Sequence, residues 1–257
     1  MIYFPLIVFI ILILIGLTLG SFLNCLIWRL HQAESLGGRS YCPKCRHQIN
    51  WYDNIPLLSF AILGGRCRHC HKKISWQYPL VEFFTAIILT IIFLKDFSEP
   101  QLTLLLIRDW LLALGLITIF VYDLRWQMVP MLVVWPLIAL MFIANLLLGV
   151  PLVSLIFSAL IGTLFFLAQY IITKKRGVGE GDIWLGALLG LTFPSGAALL
   201  LLLIVSYGLG SLTGLFLMII GQKGWKSKIA LGPFLAFGAI ITLIWGKAII
   251  NWYFQLF

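Results

Sequence analysis

Charge is what this sequence has least of. Asp, Glu, Lys and Arg make up 11% of its 257 residues against 61% hydrophobic residues, and the mean hydropathy is +1.05. Such a chain cannot cover a water-facing surface, which excludes an ordinary soluble globular domain. Acids are the scarcer sign, nine against eighteen Lys plus Arg. No Lys or Arg precedes the first apolar run, and that run is too long for a signal-peptide core, so it reads as a retained span. Basic patches away from membrane-edge loops are also missing, which excludes a nucleic-acid surface despite the net charge of +9.

What the chain does have is long apolar runs. Each span needs about 20 mostly apolar residues to cross roughly 30 Å of hydrocarbon. Candidate spans lie near 5–27, 80–94, 102–122, 129–149, 152–173, 183–193, 195–220 and 230–250. The segment 183–193 is too short to cross unaided and can instead be one arm of a hairpin turning at Thr192-Phe193-Pro194-Ser195-Gly196, so the count is eight or seven. The expected fold is an all-α polytopic membrane protein of about eight transmembrane helices. Lys and Arg collect on the cytoplasmic side of membranes. The first span is followed by Arg29, so the N-terminus is expected outside. Alternating from there leaves only Lys95, Arg108 and Lys247 of the eighteen cations on the outer side. The cytoplasmic set includes Lys174, Lys175, Arg176, Lys223, Lys226 and Lys228.

Three parts follow from the composition: a first helix over 1–27, a cytoplasmic four-cysteine domain over 28–79, and a membrane domain over 80–257. The loop holds all four histidines and four of the five cysteines. CPKC at 42–45 and CRHC at 67–70 form two C-x-x-C knuckles, and Cys42, Cys45, Cys67 and Cys70 are the ligand set of a closed structural zinc site. The competing reading, two disulfides, does not suit a cytoplasmic loop where thiols stay reduced. A domain of this size builds little core, so the metal would contribute folding free energy directly. His47, His69 and His71 adjoin the knuckles, but four thiolates already fill the shell. Cys25 is expected to be a small packing residue.

Of the nine acids, Glu34 and Asp53 belong to the loop, Asp96 and Glu99 to an outer loop, and Asp109 follows Arg108, which can neutralise it. Asp123 in VYDLRWQMVP and Asp182 in GVGEGDIWL stand apart. Both lie at the cytoplasmic edge of a span, where ionisable groups are costly and function is the default reading. The structural alternative is an end cap, with Asp182 capping a helix that begins at Ile183. Two carboxylates sharing a partly dry site cannot both ionise; one can take a proton from water while the other donates to a carbonyl oxygen. Gly179 and Gly181 would let backbone approach closely and free the orientation of Asp182.

These motifs, in this order, resemble the type IV prepilin peptidases, membrane aspartic proteases. GSFLNCLIWRL at 20–30, CPKCRHQINWYDNIPLLSF at 42–60, GRCRHCHKKISWQYPLVEFFTA at 65–86, VYD with Pro130, GEGD at 179–182 and LGPFLAFGA at 231–239 carry the resemblance. It implies a multi-pass protein of the bacterial inner membrane that removes the leader of prepilins or pseudopilins at the cytoplasmic face, with Asp123 and Asp182 as catalytic aspartates. In many members the new N-terminal amine is then methylated from S-adenosylmethionine. The resemblance points to Gly65 and Arg66 for that step, although no glycine-rich dinucleotide-type loop marks a methyl-donor site. Glu180 and Met131 depart from the residues common at those places.

Two rival readings use the same aspartates. A presenilin-like protease also pairs Tyr-Asp with Gly-x-Gly-Asp, but the cysteine domain and the LGPF ending speak against it. A proton- or cation-coupled transporter predicts repeated halves, and the two halves show no convincing similarity. A zinc-dependent scaffold leaves the aspartates unexplained.

Overall fold

The structure, a computed structural model, describes residues 6–97, 99–174, 177–222, 224 and 230–255. Pro5 of the first expected span and the loop cations Lys175, Arg176, Lys223, Lys226 and Lys228 lie outside them.

Among the described residues the regular structure is helical: α1 (Leu6–Gln32), α2 (Leu58–Ile62), α3 (Gln77–Asp96), α4 (Leu102–Trp126), α5 (Met131–Leu147), α6 (Leu152–Ile172), α7 (Glu180–Thr192), α8 (Gly196–Ile219) and α9 (Gly232–Phe254), with a single 3-10 turn at Trp51–Asn54. The eight helices other than α2 occupy the eight expected spans. Six of them, α1, α3, α4, α6, α8 and α9, are long and apolar enough to cross a membrane, while α5 is a shorter apolar helix. The 13 residues of α7 reach only about 20 Å at 1.5 Å per residue, short of a crossing. Its chain turns at Phe193–Ser195 into α8, but α7 packs chiefly on α6 and α5 rather than back on α8.

Two boundaries differ from the sequence reading. The first helix runs on to Gln32, because the residues that follow its apolar run, Arg29 to Gln32, include no helix breaker. It stops where Ala33 turns left-handed at φ 52°. The helix carrying Asp182 begins at Glu180, three residues before Ile183.

The chain divides into two compact units, Met1–Phe97 and Ser98–Phe257. In the first, α1 packs on α3. A β-carbon at Gly16 would lie 2.4 Å from the Ala86 Cα, and one at Gly20 would lie 2.6 Å from the Glu82 Cα, so only glycine permits this approach. Asn24 adds a polar tie, donating to Tyr78 O at 3.0 Å and accepting from Gln77 at 3.2 Å. Arg29, read above as a topology marker, is also a folding centre. It is 4% exposed, and its guanidinium donates to the carbonyls of Ser35, Leu36, Gly37, Gly38 and Arg39.

In the second unit α7 is clasped by α5 and α6, and α9 packs on α4 and α8. The α6–α7 seam is again glycine: a β-carbon on Gly186 would stand 2.4 Å from Gly162 O, and one on Gly190 would stand 2.2 Å from Ser158 O. A buried polar chain ties the far end of α7. Arg108 pairs with the fully buried Asp109 at 2.6 Å and donates to Asn145 Oδ1 at 2.9 Å. Asn145 in turn donates to Leu191 O at 2.7 Å. The neutralised pair expected at 108–109 is therefore part of the packing of α4, α5 and α7.

Replacing Asn145 by Ala strands the Leu191 carbonyl and one guanidinium N–H in a buried place. The expected loss is about 1–3 kcal/mol of stability, measurable as a lower melting temperature of the purified protein in detergent.

Candidate functional site

The second unit holds the two aspartates. Asp123 lies in the last turn of α4, whose end is fixed by Gln127 in a left-handed cap that donates to Asp123 O at 2.8 Å. Asp182 lies at the third position of α7, after the N-cap Gly179. They are 4% and 7% exposed, and Asp182 lies within electrostatic reach of Asp123. Two carboxylates from separate helices thus share one largely dry neighbourhood.

The N-cap role weighed above as the structural alternative for Asp182 falls to Gly179. Asp182 instead reaches back, its Oδ2 accepting the Gly179 N–H at 2.9 Å, which satisfies one orphan donor of the helix start and fixes the carboxylate. The use of the glycines also differs from expectation. Gly179 is extended (φ −84°, ψ 163°), a conformation open to any residue. Gly181 matters for space, because a β-carbon there would lie 2.6 Å from the Val129 Cβ and 3.2 Å from the Met131 Cε. Met131, one of the departures from the family pattern, therefore lines the approach to the first turn of α7. Glu180, the other, accepts from the Tyr170 hydroxyl at 2.5 Å. Two positions apart on a helix means about 200° of rotation, so Glu180 and Asp182 leave α7 on different sides.

Two partners of the pair were not singled out in the sequence. Gly232, at the start of α9, comes so close that a β-carbon on it would stand 2.4 Å from Asp123 Oδ2, and its backbone N–H faces that carboxylate. Pro233 supplies no N–H and Phe234 N–H bonds Leu231 O, so the Gly232 N–H is the donor left to this end of α9. The LGPF segment was visible as a motif, but nothing in it named Asp123 as its neighbour. Tyr207 of α8 lies within electrostatic reach of Asp182 and donates to Gln169 Oε1 at 2.8 Å. A lone tyrosine in an apolar run carries no such signal.

The first unit holds the cysteines. The Sγ atoms of Cys42, Cys45, Cys67 and Cys70 all lie within 4.8 Å of one another, with Cys42 and Cys70 at 4.0 Å. A tetrahedral zinc with bonds of 2.3 Å needs sulfurs about 3.8 Å apart, so the donor set fits such an ion. None of the four is in a disulfide. Each knuckle repeats one backbone pattern. Cys42 N–H bonds His47 O and Arg46 N–H bonds Cys42 O; likewise Cys67 N–H bonds Lys72 O and His71 N–H bonds Cys67 O. Arg46 and His71 are left-handed at the same place, φ 59° and 55°. The matching stretches SYCPKCRHQINW and GRCRHCHKKISW show this repeat in the sequence. His47 and His69 stack on each other, centroids 4.2 Å apart, outside the thiolate set.

Of the methyl-transfer candidates, Gly65 has a structural task. It is left-handed at φ 66°, its carbonyl accepts Ile74 N–H at 2.8 Å, and a β-carbon there would meet the Phe60 ring at 3.1 Å. Arg66 is exposed beside it. Asp53 is bound by the Arg68 guanidinium at 2.7 and 2.8 Å, which holds its carboxyl below the usual range and ties the 3-10 turn to the second knuckle.

A polytopic helical membrane protein with two buried carboxylates on separate helices, and a four-thiolate domain after its first helix, is a narrow class. The bacterial peptidase A24 N-terminal domain matches residues 14–95, and the type IV leader peptidase family matches residues 110–219. A Pseudomonas aeruginosa prepilin leader peptidase/N-methyltransferase is 31% identical over 95% of this chain and 92% of its own length. The Aeromonas salmonicida protein of that name is 32% identical over 97% and 94%. An Escherichia coli type 4 prepilin-like proteins leader peptide-processing enzyme is 32% identical over 89% and 90%. No solved structure gives a significant match. The chain belongs to the type IV leader peptidase family.

If the thiolates hold one ion, metal analysis of the purified chain gives about one zinc per chain. Cys25→Ser leaves that number unchanged, and Cys67→Ser lowers it well below one.

Proposed function

We propose that this protein removes the leader peptide of type IV prepilins or pseudopilins at the cytoplasmic face of the bacterial inner membrane and then methylates the new N-terminus. Family membership and the names of its relatives support the two activities. The observation that carries the mechanism is the shared, buried neighbourhood of Asp123 and Asp182.

In this reading the pair holds one proton between two carboxylates, and the pair titrates as a unit. The charged member takes a proton from a water molecule as its oxygen attacks the scissile carbonyl; the protonated member donates to the carbonyl oxygen. Collapse of the tetrahedral intermediate breaks the C–N bond, and a carboxyl proton passes to the departing amine. Gly179, through its N–H on Asp182, and Gly181, through the space it leaves for Val129, support the site without touching the reacting atoms. The number of Lys and Arg in these loops suits a cytoplasmic face, with the N-terminus outside.

The four cysteines would hold zinc as a structural cross-link of the N-terminal unit, with no share in hydrolysis. S-adenosylmethionine, when bound, supplies the methyl group for the new amine. Gly65 is accounted for by its turn, which leaves Arg66 as the cation that a carboxylate-bearing donor would meet.

Asp123→Asn and Asp182→Asn should each abolish cleavage of a prepilin in detergent, with the protein still folded, because each removes half of one acid–base unit. Appreciable cleavage by either variant would sink the dyad. Arg66→Ala should yield pilin that is cleaved but mostly unmethylated, read as one missing methyl by mass spectrometry. Fully methylated product would reduce Arg66 to a topology marker.

A further inference from the structure

The loop between α1 and α3 exposes an apolar surface that neither hydrolysis nor metal binding uses. Trp51 is 77% exposed, Leu58 53%, Ile62 69% and Trp76 70%. In water this would be a liability, and contiguous exposed apolar surface marks an interaction site. On α2 the outward positions are Leu58, Ala61 and Ile62, one stripe at helical spacing. Phe60 turns inward instead, against Trp76 with ring centroids 5.1 Å apart and beneath Gly65.

One hydrogen bond fixes the depth of this stripe. The Leu57 N–H, immediately before α2, donates to Glu82 Oε2 at 2.9 Å. Glu82 is five residues into the membrane-crossing helix α3, about 7.5 Å along its axis at 1.5 Å per residue. It is buried against α1, where Gly20 leaves room for it. Leu57 is held in the positive-φ region (φ 59°, ψ −48°), which a leucine rarely adopts and which persists only where the surroundings impose it. The clamp therefore draws α2 down beside the first turns of a span. At the same level α3 exposes Leu80, Phe83 and Phe84, the kind of surface that faces lipid.

The rest of the loop suits the same neighbour. Between residues 33 and 76 seven Lys and Arg stand against two acids, and both acids are paired, Glu34 with Arg46 and Asp53 with Arg68. Exposed tryptophans with surplus cations match the aromatic and basic belt of a membrane interface with anionic headgroups.

We propose that residues 51–62, together with the neighbouring Trp76, form an interfacial element lying in the cytoplasmic leaflet, Leu58 and Ile62 among the acyl chains and Trp51 and Trp76 at headgroup level, pinned there by Glu82. This stands apart from the proposed reaction: it holds or fails whether or not the protein cleaves prepilins. The occupant is the bilayer, not a partner protein.

The test places the photo-reactive amino acid p-benzoylphenylalanine at Leu58 or Ile62 of the full chain in nanodiscs containing phosphatidylglycerol. Ile10 of α1, 47% exposed within a span, serves as the lipid-facing comparison. Illumination should give adducts on lipid acyl carbons at Leu58 and Ile62 in yields similar to Ile10. Glu82→Ala should lower the Ile62 adduct severalfold, while Glu82→Gln, which keeps an acceptor oxygen, should retain it. Cross-links to the protein itself, or no adduct at Ile62 while Ile10 reacts, would overturn the interfacial placement. An undiminished adduct in Glu82→Ala would overturn the pinning.

Discussion

Helices that meet inside a membrane gain little from the hydrophobic effect, because lipid tails are as apolar as their side chains, so association depends on how closely backbones approach. In this protein glycine sets that approach at each seam that matters. Gly16 and Gly20 bring α1 onto α3, Gly186 and Gly190 bring α7 onto α6, and Gly232 brings the start of α9 onto Asp123. Each would place a β-carbon within 2.6 Å of a backbone or carboxylate atom, closer than packing tolerates.

The carboxylates depend on those seams. The helix α7 is too short to cross the membrane, so its position comes from its neighbours: the glycine seam with α6 along its length and Asn145 at its far end. Its near end then carries Asp182 with the Gly179 N–H bound to it. Asp123 reaches the same neighbourhood from the end of α4, where a left-handed Gln127 stops the helix. Polar groups are few in this chain, and several of the buried ones, Asn24, Asp109 and Asn145 among them, tie helices together.

Much of this was legible in the residues. Apolar runs marked the helical segments, and the thiol spacing marked a cluster whose sulfurs do lie within reach of one ion. Less legible was anything set by distance between segments. The start of α7 was misplaced because an acid before an apolar run looks like a cap, whereas an acid at the third position reaching back to a glycine reads almost the same. Gly-x-x-x-Gly at 16–20 and 186–190 was present as a pattern, but only coordinates say which helix lies against it. Arg29 was visible only as the first cation after an apolar run; its five carbonyl partners lie in a loop with no periodicity to read. Gly232 could not be joined to Asp123 across more than a hundred residues of sequence.

The contact between Gly232 and Asp123 therefore tests the central claim most directly, since adding one methyl group there leaves both carboxylates and every polar partner chemically intact. The measurement is the steady-state rate of prepilin leader cleavage by Gly232→Ala in detergent, on protein whose elution and melting match the wild type. Displacing a reacting carboxylate by about an ångström costs on the order of 100-fold in rate. The expected result is a fall of that size in kcat with KM little changed. Wild-type turnover by the folded variant would contradict a site held by glycine approach.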